Sequence, residues 1–134
     1  MNIDHLGVAV KSLATAKGFY EDLGIKVLGE ETVASEQVRL VMVPLGESRI
    51  ELLEATSPQS PIARFIEKRG EGLHHVALRV SDLASTVEHL KKKGTRLVSD
   101  EIKIGAGGHL YVFVHPSSTG GVLIELCEDA PQGV

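Results

Sequence analysis

The 134-residue chain has no tryptophan, two tyrosines, three phenylalanines and a single cysteine. So few rings exclude an aromatic platform for stacking single-stranded nucleic acid or sugars. The lone Cys127 excludes an intrachain disulfide and suits a reducing compartment, so a cytoplasmic protein is expected. No apolar run approaches the roughly 18 residues of a membrane span, and the opening MNIDHLGVAV lacks a basic start before an apolar core. A soluble protein with no membrane partner is therefore expected, with its N-terminus already mature structure. Basic residues are also in the minority, 14 Lys and Arg against 18 Asp and Glu for a net charge of −4. That balance excludes a broad nucleic-acid surface but leaves room for a small anionic ligand held by a few local cations.

What is present is an ordinary globular mixture, 43% apolar and 24% charged, in a length that fits one domain or two half-size units sharing a core. Self-similarity favours the second description. IDHLGVAVKSLATA (3–16) aligns with LHHVALRVSDLAST (73–86), placing His5, Val10, Leu13 and Ala14 on His75, Val80, Leu83 and Ala84 at an offset of 70. Ile50, Glu51, Leu52 and Glu54 align with Ile124, Glu125, Leu126 and Glu128 at an offset of 74, so the second copy has gained residues, assigned to the glycine-rich stretch Gly105–His109.

Each copy opens with an alternating strand. Leu6, Val8 and Val10 face one way and His5, Gly7 and Ala9 the other; Val76, Leu78 and Val80 likewise oppose His75, Ala77 and Arg79. A helix follows in each, capped by Ser12 in the first copy and by Ser81 or Asp82 in the second, and stopped by Gly24 and Gly94. The Lys91–Lys93 run reads as the solvated last turn of the second helix, with phosphate binding as the lesser alternative. Further strands are expected at 38–45, 48–54, 110–115 and 121–128. Ser60, Pro61 and Gly70 delimit a short linking helix whose role is to connect the copies.

The repeat carries a chemical constellation. His5 and Glu51 from one copy, and His75 and Glu125 from the other, all sit on strands and on the face that the apolar residues avoid. Any one of them alone is an ordinary strand residue, but burying two unpaired carboxylates is costly and the whole set recurs. Two imidazoles and two carboxylates suit one divalent ion of intermediate hardness, such as cobalt, nickel, manganese, zinc or iron. The other histidines carry less. His74 points away from His75, His89 lies on a helix and His109 falls in the glycine-rich insertion. His115, at a strand end before Pro116, is read either as a substrate contact or as a structural hydrogen bond. Cys127 reads as a small core residue.

The paired βαβββ units, with a candidate ligand on the first and last strand of each, resemble the vicinal oxygen chelate superfamily over essentially the whole chain. SPIARFIEKRGEGLHHVALRV, DEIKIGAGGH and FVHPSSTGGVLIEL resemble its methylmalonyl-CoA epimerase family. The resemblance implies an α+β fold in a single domain, 1–134, with module 1 at 1–56, the linking helix at 60–70 and module 2 at 72–130. These modules would form a cupped open β-barrel around one divalent ion per chain, cobalt first, with manganese, nickel or zinc as alternatives, usually in a homodimer. The implied metal ligands are His5, Glu51, His75 and Glu125. The implied activity is an isomerase's, epimerising (R)- and (S)-methylmalonyl-CoA by α-proton abstraction through a metal-chelated enediolate. Glu125 and Glu51 would move the proton, with His115 as a substrate contact.

Two departures from the family pattern stand out. Some members carry glutamine at the position of Glu51. Others have a glutamate on the strand equivalent to VRLVM (38–42), where this chain offers Arg39 or Leu40, with Glu36 nearby. Arg39, Lys68, Arg69 and Lys103 are candidates for the coenzyme A phosphates. The alternatives are glyoxalase I (lactoylglutathione lyase), a ring-opening dioxygenase, against which Glu51 as a fourth ligand argues, and a non-catalytic small-molecule-binding module of the same fold.

Overall fold

In the computed structural model, which describes residues 1–130, both strand–helix openings form. β1 (Asn2–Ala9) leads to α1 (Leu13–Asp22), and β5 (Gly72–Arg79) leads to α3 (Leu83–Lys92). The Ser12 side chain accepts from the Thr15 N–H, and in the second copy Asp82 rather than Ser81 does the same for Ser85. Gly24 and Gly94 follow the helices with φ of 86° and 82°, a left-handed conformation that strains other residues and so ends each helix where the sequence placed its stop. Between them α2 (Pro61–Arg69) starts at the Ser60 cap. Among the described residues no helix is long and apolar enough to cross a membrane.

The remaining strands are β2 (Glu31–Val33), β3 (Val38–Leu45), β4 (Ser48–Ala55), β6 (Lys103–Ile104), β7 (Leu110–Val114) and β8 (Ile124–Glu128). Their hydrogen-bonded order is β2-β3-β4-β1 in the first copy and β5-β8-β7-β6 in the second. β8 begins at Ile124, later than the apolar run from 121 suggested, because the chain is still in the turn that follows Pro116–Ser118.

The chain divides into two compact units, His5–His74 and Met1–Asp4 with His75 onward. In the first, β3 pairs antiparallel with β2 and β4, and β1 runs parallel to β4. Its core joins Val10, Leu13, Val41, Val43 and Leu52, with Val8 and Ile50 packed against them. In the second, β7 pairs antiparallel with β6 and β8, and β5 runs parallel to β8. Val80, Leu83, Val87, Val112, Val114 and Leu126 form the matching core. In both units the alternation foreseen for the strands holds, so the apolar rows face the helix. Full burial stabilises by roughly 1.5–3 kcal/mol per such side chain, which fixes that choice of face.

A second device ties helix to strand. Glu54, at the end of β4, accepts the Leu13 N–H through Oε1 at 3.0 Å, and Glu128, at the end of β8, accepts the Leu83 N–H at 2.8 Å. The first turn of each helix thus has a carboxylate from the last strand of its own copy, where orphan N–H groups and the helix dipole favour an anion.

Candidate metal centre

The parallel registers place the four expected donors. Gly7 lies opposite Glu51 across β1 and β4, and Ala77 lies opposite Glu125 across β5 and β8. His5 and His75 stand two residues earlier on the same faces, so each histidine is the diagonal neighbour of its glutamate. His5 Nε2 is 3.8 Å from Glu51 Oε2, and His75 Nε2 is 3.3 Å from Glu125 Oε1. The small residues opposite the glutamates leave the carboxylates room to reach the histidines. Met42 borders Glu51 on the other side and Phe113 borders Glu125; the Phe113 ring meets His75 edge-on at 5.4 Å.

These donors are withdrawn from water: His5 is 1% exposed, Glu51 6%, His75 3% and Glu125 4%. Among the described residues the only other buried polar or charged side chains are Asp4 and Ser60. Ser60 is a helix cap and Asp4 pairs with Arg79 at 3.7 Å, so the expected quartet makes up most of the buried polar inventory. Charges this deep cost several kcal/mol unless something of opposite sign offsets them. Within each unit the imidazole–carboxylate pair has the donor chemistry that a divalent ion takes. Two donors about 2.1 Å from a common ion stand about 3.0 Å apart at right angles and about 3.4 Å apart at tetrahedral angles, close to the spacing within each pair. Mixed imidazole and carboxylate chemistry matches ions of intermediate hardness.

The remaining expectations separate clearly. His74 turns to the other side of β5, where it meets the Phe65 ring of α2 edge-on at 5.0 Å. His115 caps the turn after β7, its Nδ1 accepting from the Ser117 N–H at 3.0 Å. Cys127 is a buried core residue whose Sγ lies 3.6 Å from the Leu78 carbonyl oxygen. Lys91 and Lys92 pair with Asp100 and Glu88 on the surface, in keeping with a solvated last turn. On β3, Arg39 lies opposite Glu54 and pairs with it and with Glu30. It therefore shares the helix-side row with Val41 and Val43, and buried Leu40 and half-buried Met42 occupy the row of Glu51. No carboxylate of β3 faces Glu51. His109, set aside in the sequence, lies with Nε2 3.6 Å from Glu125 Oε2. A loop residue has no strand periodicity, so the only signal for it was a histidine closing the GAGG segment.

Known proteins resemble this chain over most of its length. A mouse mitochondrial methylmalonyl-CoA epimerase is 42% identical over 92% of this chain and 71% of its own length. The crystal structure of a methylmalonyl-CoA epimerase from Mycobacterium tuberculosis has a TM-score of 0.91 at 38% identity, covering 97% of this chain and 89% of that one. A Streptomyces coelicolor methylmalonyl-CoA epimerase variant in complex with 2-nitronate-propionyl-CoA reaches 0.93 at 34% identity, covering 97% and 95%. The α+β fold expected from the duplicated units is thus the fold observed. Residues 4–113 match the Glyoxalase/Bleomycin resistance protein/Dioxygenase superfamily, and the chain belongs to that superfamily.

Proposed function

We propose that the chain is a metal-dependent isomerase that interconverts the (R) and (S) forms of methylmalonyl-CoA. The observation that carries the reading is the duplicated, buried His–Glu pair, set by the same register in both units. Sequence and structural likeness to methylmalonyl-CoA epimerases over nearly the whole chain supports it and favours it over the glyoxalase I alternative. In this reading His5, Glu51, His75 and Glu125 hold one divalent ion per chain, cobalt first, within one domain built from modules 1–56 and 72–130. In the same reading His5, His75 and Glu125 are the primary three donors and Glu51 the fourth. A cytoplasmic homodimer acting on an acyl-CoA completes the proposal; a single, buried cysteine, Cys127, is compatible with a reducing compartment.

The ion, when bound, supplies positive charge where negative charge develops on oxygen during enolisation. Glu125 accepts the α-proton: the C–H bond breaks, an O–H bond forms on the carboxylate, and the electron pair moves onto the thioester oxygen as an enediolate. A donor on the opposite face, Glu51 or a water beside it, delivers a proton to the planar carbon, and exchange with solvent resets both groups. The apolar flanks Met42 and Phe113 keep bulk water from Glu51 and Glu125. His115 contacts the substrate beyond β7.

Incubation of the cobalt-loaded protein with one epimer in deuterated buffer tests the reading by mass spectrometry and chiral analysis. Deuterium at the α-carbon together with racemisation is the expected result; absence of both sinks the proposal.

A further inference from the structure

The two copies repeat their donors but not the residue beside them. On β4, Arg49 lies two residues before Glu51 and so on the same face, and the register of β1 and β4 sets it directly opposite His5. The matching place in the second copy, at the offset of 74, is Leu123. There the Val76 N–H donates to the Leu123 carbonyl at 3.1 Å and the pair Val76–Ile124 follows, so Leu123 stands beside His75 as Arg49 stands beside His5. A cation thus flanks one histidine and a leucine the other.

The stem of Arg49 is held in place. Pro44 is its neighbour across β3 and β4, its Nε is buried, and the residue as a whole is half-buried. Residues 44–47 beside it are exposed, which sets Arg49 at the rim of the site face, where an anion arrives from solvent. Arginine keeps its charge at any working pH, and its planar fork takes a carboxylate through two parallel hydrogen bonds. In the metal-site reading the divalent ion is matched by Glu51 and Glu125, and Arg49 adds a further positive charge, the sign that an incoming carboxylate needs. Donors that repeat treat the two ends of a malonyl group alike; Arg49 and Leu123 break that symmetry. We propose that Arg49 is a specificity-determining residue whose guanidinium receives the free carboxylate of the acyl-CoA substrate beside His5. The inference rests on the substrate reading above and adds to it which end of the malonyl group lies against β4.

The test is isothermal titration calorimetry of the full-length chain, in buffer containing cobalt(II), with two ligands. One is racemic methylmalonyl-CoA, already at its equilibrium composition; the other is propionyl-CoA, the same molecule without the carboxylate. The unaltered protein should bind the first more tightly. Arg49→Met should weaken methylmalonyl-CoA about tenfold or more and leave propionyl-CoA within about twofold. Arg49→Lys, which keeps the charge without the fork, should fall between. Cobalt affinity, measured alongside, should be unchanged; its loss in both variants would make Arg49 a support of the fold and overturn the inference. An equal loss for both ligands would place Arg49 against the coenzyme A portion, and no loss for either would remove it from binding. Both results overturn the inference and leave the proposed reaction standing. Failure of the unaltered protein to prefer methylmalonyl-CoA over propionyl-CoA overturns both.

Discussion

At the scale of the residue, the proposed reaction gives Glu51 and Glu125 different work, which experiment can separate. Glu125→Gln keeps the shape of the side chain but cannot accept a proton, so α-deuterium exchange should fall by roughly 10²- to 10⁴-fold. Glu51→Gln leaves abstraction intact and removes the proton for the opposite face. Exchange from the starting epimer should then outrun racemisation, and the ratio of the two rates should rise several-fold above that of the unaltered protein. An equal fall in both rates would show that Glu51 serves only to hold the site. His5, Glu51, His75 and Glu125 were legible in the sequence because strand alternation decides which face a residue takes, and a repeat doubles the signal. His109 was not legible, since its direction comes from the Ala106 carbonyl and the absence of a side chain at Gly105, both in a loop.

Helices and long strands were readable as elements because their ends carry chemistry of their own: Ser12, Ser60 and Asp82 cap, and Gly24 and Gly94 stop. β2 and β6 were harder, with three and two residues too short to show a period. The side taken by Arg39 was left open as well. It is settled by pairing with Glu54 across β3 and β4, a contact between residues 15 apart in the chain. The strand-borne caps give a prediction at this scale. Glu128→Ala removes the acceptor of the Leu83 N–H and should cost about 1–2 kcal/mol in urea unfolding, whereas Glu128→Gln, which keeps an acceptor oxygen, should cost less. Equal losses would assign the effect to charge at the helix end rather than to the hydrogen bond.

At the scale of the whole molecule, the duplication was legible as a shift in offset from 70 to 74, and its four donors predict one ion per chain rather than one per copy. Elemental analysis of the metal-loaded protein checks that ratio. Because the ligands must be arranged by folding, the ion should also raise stability. With free ion at 100 times its dissociation constant the gain is about 2.7 kcal/mol, seen as a higher unfolding midpoint that a chelator abolishes.

The closing strand of each copy has a consequence for how such a chain can change over time. Glu51 and Glu54 share β4, and Glu125 and Glu128 share β8, one residue of each pair serving the site and the other seating the helix. Insertion or loss of a single residue between them would unseat the helix and turn the site carboxylate into the apolar layer in one event. Length variation among descendants of this chain is therefore expected to spare 51–54 and 125–128 and to collect between β7 and β8: the pairs Met42–Glu51 and Phe113–Glu125 are offset by 113 − 42 = 71 and 125 − 51 = 74, so most of the second copy's extra residues lie in that turn and not, as the sequence suggested, in Gly105–His109.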